Sequence, residues 1–301
     1  MLDKLTTEAR NTKTTNLDKM SIYEILRCMN LEDRSVPLAV EKELGKIEQV
    51  VKQAIRSLHS GGRLIYMGAG TSGRLGVLDA VECVPTFSSP PGQVIGLIAG
   101  GDRALIEAVE GAEDDEQLGE SDLITSQLTE KDYVIGIAAS GRTPYVIGGL
   151  RYARKIGVPT ASISCNCDAE ISKFADVAIE VETGPEVLTG STRLKAGTSQ
   201  KMVLNMISTA SMIGQGKIYK NLMVDVQPTN AKLVERSKRI IAEATGADLA
   251  TAEKYYADSR QNVKAAIVML LLHCPLSEAL DRLRLTDGFI RKALNTENQQ
   301  N

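Results

Sequence analysis

Leu64-Ile-Tyr-Met-Gly-Ala-Gly-Thr-Ser-Gly-Arg-Leu-Gly-Val-Leu-Asp-Ala-Val-Glu82 joins an apolar run, a glycine-rich bend and a helical pattern. The run does not alternate, so it reads as a strand buried on both faces. The bend, Gly68-Ala-Gly-Thr-Ser-Gly73, matches the G-x-G-x-x-G dinucleotide fingerprint. That fingerprint needs an acid at the end of the second strand to hold a ribose. Here the next strand ends near Ile98, and the first acid, Asp102, comes late, behind two glycines. The alternative is preferred: Gly70, Thr71, Ser72 and Gly73 cradle a single phosphate with backbone N–H groups and hydroxyls at a helix start.

Four more short apolar runs follow, at Val94–Ile98, Tyr133–Ala138, Thr160–Ser164 and Val177–Val181. Helical segments fall between most of them, notably Asp115–Gln127 and Pro144–Lys155. Non-alternating strands joined by helices predict a parallel sheet covered on both faces. After the third run, Ser140-Gly-Arg-Thr-Pro144 repeats the chemistry of the first bend, and Thr143 stands as a capping hydroxyl before a first-turn proline. Ligands bind beyond the carboxyl ends of parallel strands, so Ser140, Gly141, Arg142 and Thr143 are expected to converge with the first bend on one anion.

Residues 1–60 read as an arm followed by helices. Leu17–Met29 has helical spacing, and Val36–Leu58 continues with Val40, Leu44, Ile47, Val51 and Ile55 on one face. A long helix is expected from Thr198 to about Gln215, with Met202, Val203, Met206, Ile207, Ala210 and Ile213 as core or dimer contact. Gln227-Pro228-Thr229-Asn230 then punctuates the chain. Four helical patterns close it, around 229–245, 248–257, 261–272 and 276–295.

The 301 residues carry a formal charge of −3, which leaves no basic footprint for nucleic acid. No apolar run approaches the ~20 residues of a membrane span, and the start lacks a secretion signal's layout, so a cytoplasmic protein is expected. Five scattered cysteines do not suggest a disulfide framework. Cys165-Asn-Cys167 has no second pair and only two histidines to join it. It reads as two buried or half-buried thiols, and neither metal nor cofactor is expected.

The run Gly68–Phe87 resembles the signature of the N-acetylmuramic acid 6-phosphate etherase family. So do Ala139-Ser-Gly-Arg-Thr-Pro-Tyr145, Gly184-Pro-Glu-Val-Leu-Thr-Gly-Ser-Thr-Arg-Leu-Lys195 and Asn221-Leu-Met-Val-Asp-Val226. The likeness runs from Leu5-Thr-Thr-Glu-Ala-Arg10 to the C-terminal helices; Val84 stands where the family pattern leads one to expect proline. The resemblance implies an SIS-type α/β domain over residues 61–225, with a five-stranded parallel sheet in flavodoxin-like order. Flanking it would be the 1–60 helical arm and a C-terminal helical region, 226–301. It also implies a phosphosugar substrate, a homodimer with sites near the interface, and lyase chemistry that removes D-lactate from C3 in cell-wall amino-sugar recycling.

Carried onto matching positions, the resemblance makes Glu82 the proton donor and Glu113 the second acid/base, with Glu186, Ser191, Thr192 and Lys195 as candidates to line the sugar cavity. Buried glutamates would suit such proton transfers. Taken alone, Glu113 is equally an acid near a helix start and Glu82 a solvated one. A straight helix from Gly73 would carry Glu82 roughly 14 Å from the phosphate bend at ~1.5 Å per residue. Either the helix ends first and the Pro85 segment folds back, or Glu82 serves a neighbouring subunit. A phosphosugar isomerase and a non-catalytic phosphosugar-sensing regulator are the competing readings.

Overall fold

A computed structural model describes residues 5–226 and 231–295. The punctuation at Gln227–Asn230, the first two residues of the 229–245 pattern and the segment Met1–Lys4 lie outside the described residues. Two compact units divide the chain: residues 1–81 with 92–209, and residues 82–91 with 210–301. The division differs from the one expected at residues 60 and 225. The helices of the N-terminal segment belong to the sheet's unit, and the last of them packs on the sheet.

In the first unit, α1 (Ile22–Asp33) starts at a complete capping box between Ser21 and Glu24. α2 (Ser35–Lys42) and α3 (Leu44–His59) follow. The buried stripe of α3 is Ile47, Val50, Ala54 and Leu58, whereas Leu44 is exposed. The expected stripe was therefore rotated: a helix face is set by what it packs against, and α3 packs on the sheet.

The sheet contains β1 (Leu64–Gly68), β2 (Val94–Ile98), β3 (Tyr133–Ile137), β4 (Thr160–Ser164) and β5 (Val177–Glu180). All pairings are parallel, in the order β2-β1-β3-β4-β5. Every residue of β1, β3 and β4 is buried, while β2 and β5, at the edges, are partly exposed. This is the flavodoxin-like order, and its direction of winding reverses between β1 and β3. The two strands end side by side, with Gly68 opposite Ile137.

Three helices leave the carboxyl edge or cover it: α4 (Gly70–Phe87), α5 (Glu116–Thr125) and α6 (Pro144–Lys155). The long helix α7 spans Lys195–Gly214, starting three residues earlier than expected. Glu186 explains the early start: its carboxylate accepts from the backbone N–H of Lys195 at 3.0 Å and Ala196 at 2.9 Å. In α7, Val203, Leu204, Ile207 and Met212 are buried, and Ile213 is 43% exposed.

α4 does not stop before Glu82. It runs on through Pro85 to Phe87, so the fold-back version of the Glu82 placement is excluded. Pro85 sits in the last turn, where its missing N–H removes one hydrogen bond and little helix remains to be broken.

The second unit has a hairpin of β6 (Ile218–Tyr219) and β7 (Leu222–Met223), then α8 (Ala231–Thr245), α9 (Leu249–Asp258), α10 (Val263–Leu272), α11 (Leu276–Leu285) and α12 (Ile290–Asn295). The last expected pattern, 276–295, is broken at Asp287-Gly288, where both residues adopt positive φ. Ile241, Ala266, Ile267 and Val268 lie at the centre of this unit's core. Asp225 joins Lys217 at 3.1 Å and Lys264 at 2.9 Å, and its carbonyl accepts from Ser88. No single helix among the described residues is long and apolar enough to cross a membrane.

Candidate active site

The first bend forms because strand and helix meet almost without a loop. A β-carbon on Gly68 would lie 2.9 Å from both the Gly73 nitrogen and the Ile137 carbonyl oxygen. Glycine there lets α4 start against the end of β1, so that Thr71, Ser72 and Gly73 fall in its first turn. The first helical hydrogen bond runs from the Gly73 N–H to the Ala69 carbonyl at 3.1 Å, so the N–H groups before it, at Gly70, Thr71 and Ser72, are the ones that attract anions.

Ser72 is buried, and its hydroxyl donates to Gln200 Oε1 at 3.0 Å. Gln200 is a residue that sequence reasoning missed. It is buried on α7, and its Nε2 has no partner among the described residues. A polar residue on an amphipathic helix carries no sign of which loop it will meet.

The second bend follows β3. Gly141 turns at φ 73°, and Ser140 Oγ accepts from the Arg142 N–H at 3.3 Å. Thr143 occupies the position before α6 with Pro144 behind it, yet its side chain makes no capping hydrogen bond. Asn166 braces the bend by donating to the carbonyls of Ala139 and Ser140 at 3.2 and 3.3 Å. Because β1 and β3 are neighbours, both bends open at the same edge of the sheet.

Glu113 lies in a short 3-10 turn, Ala112–Asp114, directly before α5, whose start is capped by Asp115. It lines two cavities. One, about 160 Å³, reaches Gly70, Arg74 and Glu110 beside the first bend. The other, about 390 Å³, contains Ser140, Arg142 and Thr143 of the second bend, with Leu5 and Glu8 of the N-terminal arm. The structure therefore brings Glu113 to both bends. Arg74 donates to the carbonyls of Leu105 and Glu107 at 3.1 Å each, which ties down the segment after β2.

The remaining expected residues fall differently. Glu82 is exposed on α4, on a helix face shared with Leu78, Val81 and Pro85. Glu113 is exposed too, so neither glutamate has within one chain the buried setting that was expected. Glu186 is fully buried, with both oxygens engaged at the start of α7. Burial pushes its carboxyl up, against the two backbone N–H bonds that favour the charged form. Lys195 is buried and points to Glu32 at 2.9 Å.

Cys165 is buried, its thiol pushed up to about 12 by burial, but Cys167 is exposed, so only one of the two thiols is shielded. Among the described residues no group of three His, Cys, Asp or Glu side chains is placed to hold a metal ion.

Two family models match the chain: the glucokinase regulatory protein N-terminal SIS domain over residues 46–154, and the SIS domain over residues 112–210. An N-acetylmuramic acid 6-phosphate etherase of Bacillus cereus is 67% identical over 294 residues, covering 98% of this chain and all of the relative. A Geobacillus relative of the same name is likewise 67% identical over 294 residues, with the same coverage. A solved phosphoheptose isomerase of Francisella tularensis superposes with a TM-score of 0.53. It shares 14% identity and covers 64% of this chain and all of that one, a likeness of fold.

Proposed function

The chain belongs to the N-acetylmuramic acid 6-phosphate etherases, and from that premise we propose how its own residues carry the reaction. The protein is a carbon–oxygen lyase that splits the C3 lactyl ether of N-acetylmuramic acid 6-phosphate. Water enters, and N-acetylglucosamine 6-phosphate and D-lactate leave.

The observation that carries the assignment of residues is the placement of Glu113 on the walls of both cavities at the β1 and β3 bends. Gly70, Thr71 and Ser72, with Ser140, Gly141, Arg142 and Thr143, hold the phosphate through first-turn N–H groups and hydroxyls. With the sugar ring open, the C1 aldehyde acidifies the C2 proton. A carboxylate removes that proton, a carboxylic acid protonates the departing ether oxygen, and water adds to the unsaturated aldehyde with the roles reversed. Glu113 and Glu82 are the two groups, with Glu82 as donor to the leaving oxygen. Glu186 and Lys195, both buried, act only as support: Glu186 caps α7 and Lys195 pairs with Glu32.

Glu82 reaches a site by crossing to a second copy. It lies about 14 Å along α4 from the bend, by a helical rise of ~1.5 Å per residue. Around it, Leu78 and Val81 are 53% and 60% exposed, an apolar face suited to a homodimer contact. The same contact would bury both glutamates, the setting that raises a carboxyl toward the working pH. A cytoplasmic protein working on recycled cell-wall sugar fits this chemistry.

The test is release of D-lactate from N-acetylmuramic acid 6-phosphate. Wild type is expected to release it, and Glu82→Gln to abolish it; removing a positioned acid lowers such rates about 10²–10⁴-fold. Lactate formed at the normal rate by Glu82→Gln would overturn the role of Glu82. Isomerisation of a sugar phosphate without lactate, or binding without turnover, would overturn the etherase reading.

A further inference from the structure

We propose that Glu8, on the N-terminal arm, is a further substrate-positioning residue that accepts a hydrogen bond from the sugar chain; this rests on the phosphosugar reading of the same cavity. The arm is held in place at several points. Asn166 Nδ2 donates to Thr7 Oγ1 at 3.0 Å, while its Oδ1 accepts from Thr6 Oγ1 at 3.0 Å and the Thr7 N–H at 3.3 Å. Thr7 and Asn166 are both buried. Farther along, Thr14 Oγ1 donates to the Val187 carbonyl at 2.9 Å, and Asn11 Nδ2 to the Pro185 carbonyl at 3.4 Å.

Asn166 also donates to the carbonyls of Ala139 and Ser140, so one amide clamps the arm directly to the second bend. The clamp puts Leu5 and Glu8 on the wall of the cavity that holds Glu113, Ser140, Arg142 and Thr143. Glu8 Oε2 also approaches Gly190, 3.4 Å from where a β-carbon would stand. The side chain thus spans from the loop before α7 to the rim of the cavity.

An ionised carboxylate only accepts hydrogen bonds. Of the residues on this wall, Glu8, Glu113 and Asp114 repel a phosphate dianion, whereas Arg142 and the hydroxyls of Ser140 and Thr143 attract it. The phosphate therefore belongs at the hydroxyl-rich bends, and Glu8 faces the donors of the carbon chain: a hydroxyl, or the acetamido N–H. Glu8 takes no part in proton transfer; it holds the carbon chain in the cavity equally before and during the reaction.

The experiment compares wild type, Glu8→Gln and Glu8→Asp in lactate release. It adds calorimetric binding of N-acetylglucosamine 6-phosphate, glucose 6-phosphate and inorganic phosphate. Loss of a charge-assisted hydrogen bond should raise KM in Glu8→Gln about 10- to 100-fold with kcat within about threefold, and Glu8→Asp should recover part of it. Affinity for inorganic phosphate should not fall. Equal weakening of both sugar phosphates makes the donor a hydroxyl; weakening of the acetamido compound alone makes it the N–H. Unchanged KM and sugar-phosphate affinity would overturn the proposal, as would a matching loss of phosphate affinity, which would mean that the arm only supports the bend. If wild type itself releases no lactate, the etherase reading fails, and the binding measurements still decide the role of Glu8.

Discussion

Glu32 and Lys195 form a buried ion pair at 2.9 Å, and Lys13 reaches the other Glu32 oxygen at 2.8 Å. Asn11 adds a hydrogen bond at 3.1 Å, so Glu32 ties the arm to the start of α7. Burial pushes the Glu32 carboxyl up, but the hydrogen bonds from Lys13, Lys195 and Asn11 outweigh it and hold the pKa at about 2, below the ordinary 4.5. The folded value lies below the unfolded one. The stabilisation is therefore complete above the unfolded value and is lost as pH falls from there through the folded one. The full effect is about 3 kcal/mol, at 1.36 kcal/mol per unit of pKa. Urea unfolding followed between pH 5 and pH 3 should show wild type losing stability faster than Glu32→Gln. Parallel losses in the two proteins would mean that Glu32 is not the titrating group. At neutral pH the variant should already be weaker, because it leaves the Lys195 ammonium buried without a counter-charge.

At the scale of elements, α5 and α6 pack close enough for their backbones to touch. A β-carbon on Gly148 would lie 1.9 Å from the Glu116 carbonyl oxygen, and one on Gly119 2.0 Å from that of Tyr145. Both obstacles are backbone, so Gly148→Ala must push the helices apart. Overpacking of this kind costs about 1–3 kcal/mol or more. Glu113 sits one turn before α5, so the displacement should carry it from the bends and lower kcat as well. Gly45 is the control: it lies in α3, and a β-carbon there meets nothing within 4 Å. Gly45→Ala should leave turnover unchanged and raise stability by about 0.4–1 kcal/mol. Denaturant midpoints and lactate release measure both variants. Equal midpoints for Gly148→Ala and wild type would show that the helices yield without cost.

For the whole molecule, the decisive prediction concerns two copies. If Glu113 of one chain works with Glu82 of its partner, mixed dimers of Glu82→Gln and Glu113→Gln contain one intact site. Random mixing would then restore about a quarter of wild-type activity, as two-fold symmetry requires. Activity that stays at the level of the separate variants would place both glutamates in one chain. Much of the molecule was legible from the chain. Non-alternating apolar runs marked the five strands of the parallel sheet to within a residue or so, though not the short β6–β7 hairpin, because strand burial on both faces is a local property of composition. The two hydroxyl-bearing bends could be recognised because turn chemistry is local too. Packing decided the rest. The buried stripe of α3 turned to Val50, Ala54 and Leu58, α4 ran past Glu82, and α7 began where a distant Glu186 capped it. Glu8 and Gln200 were brought to the two bends only through Asn166 and Ser72, residues more than a hundred positions away. Periodicity sets which residues can share a face; only the folded chain sets what that face meets, because those contacts join segments that nothing in the local sequence relates.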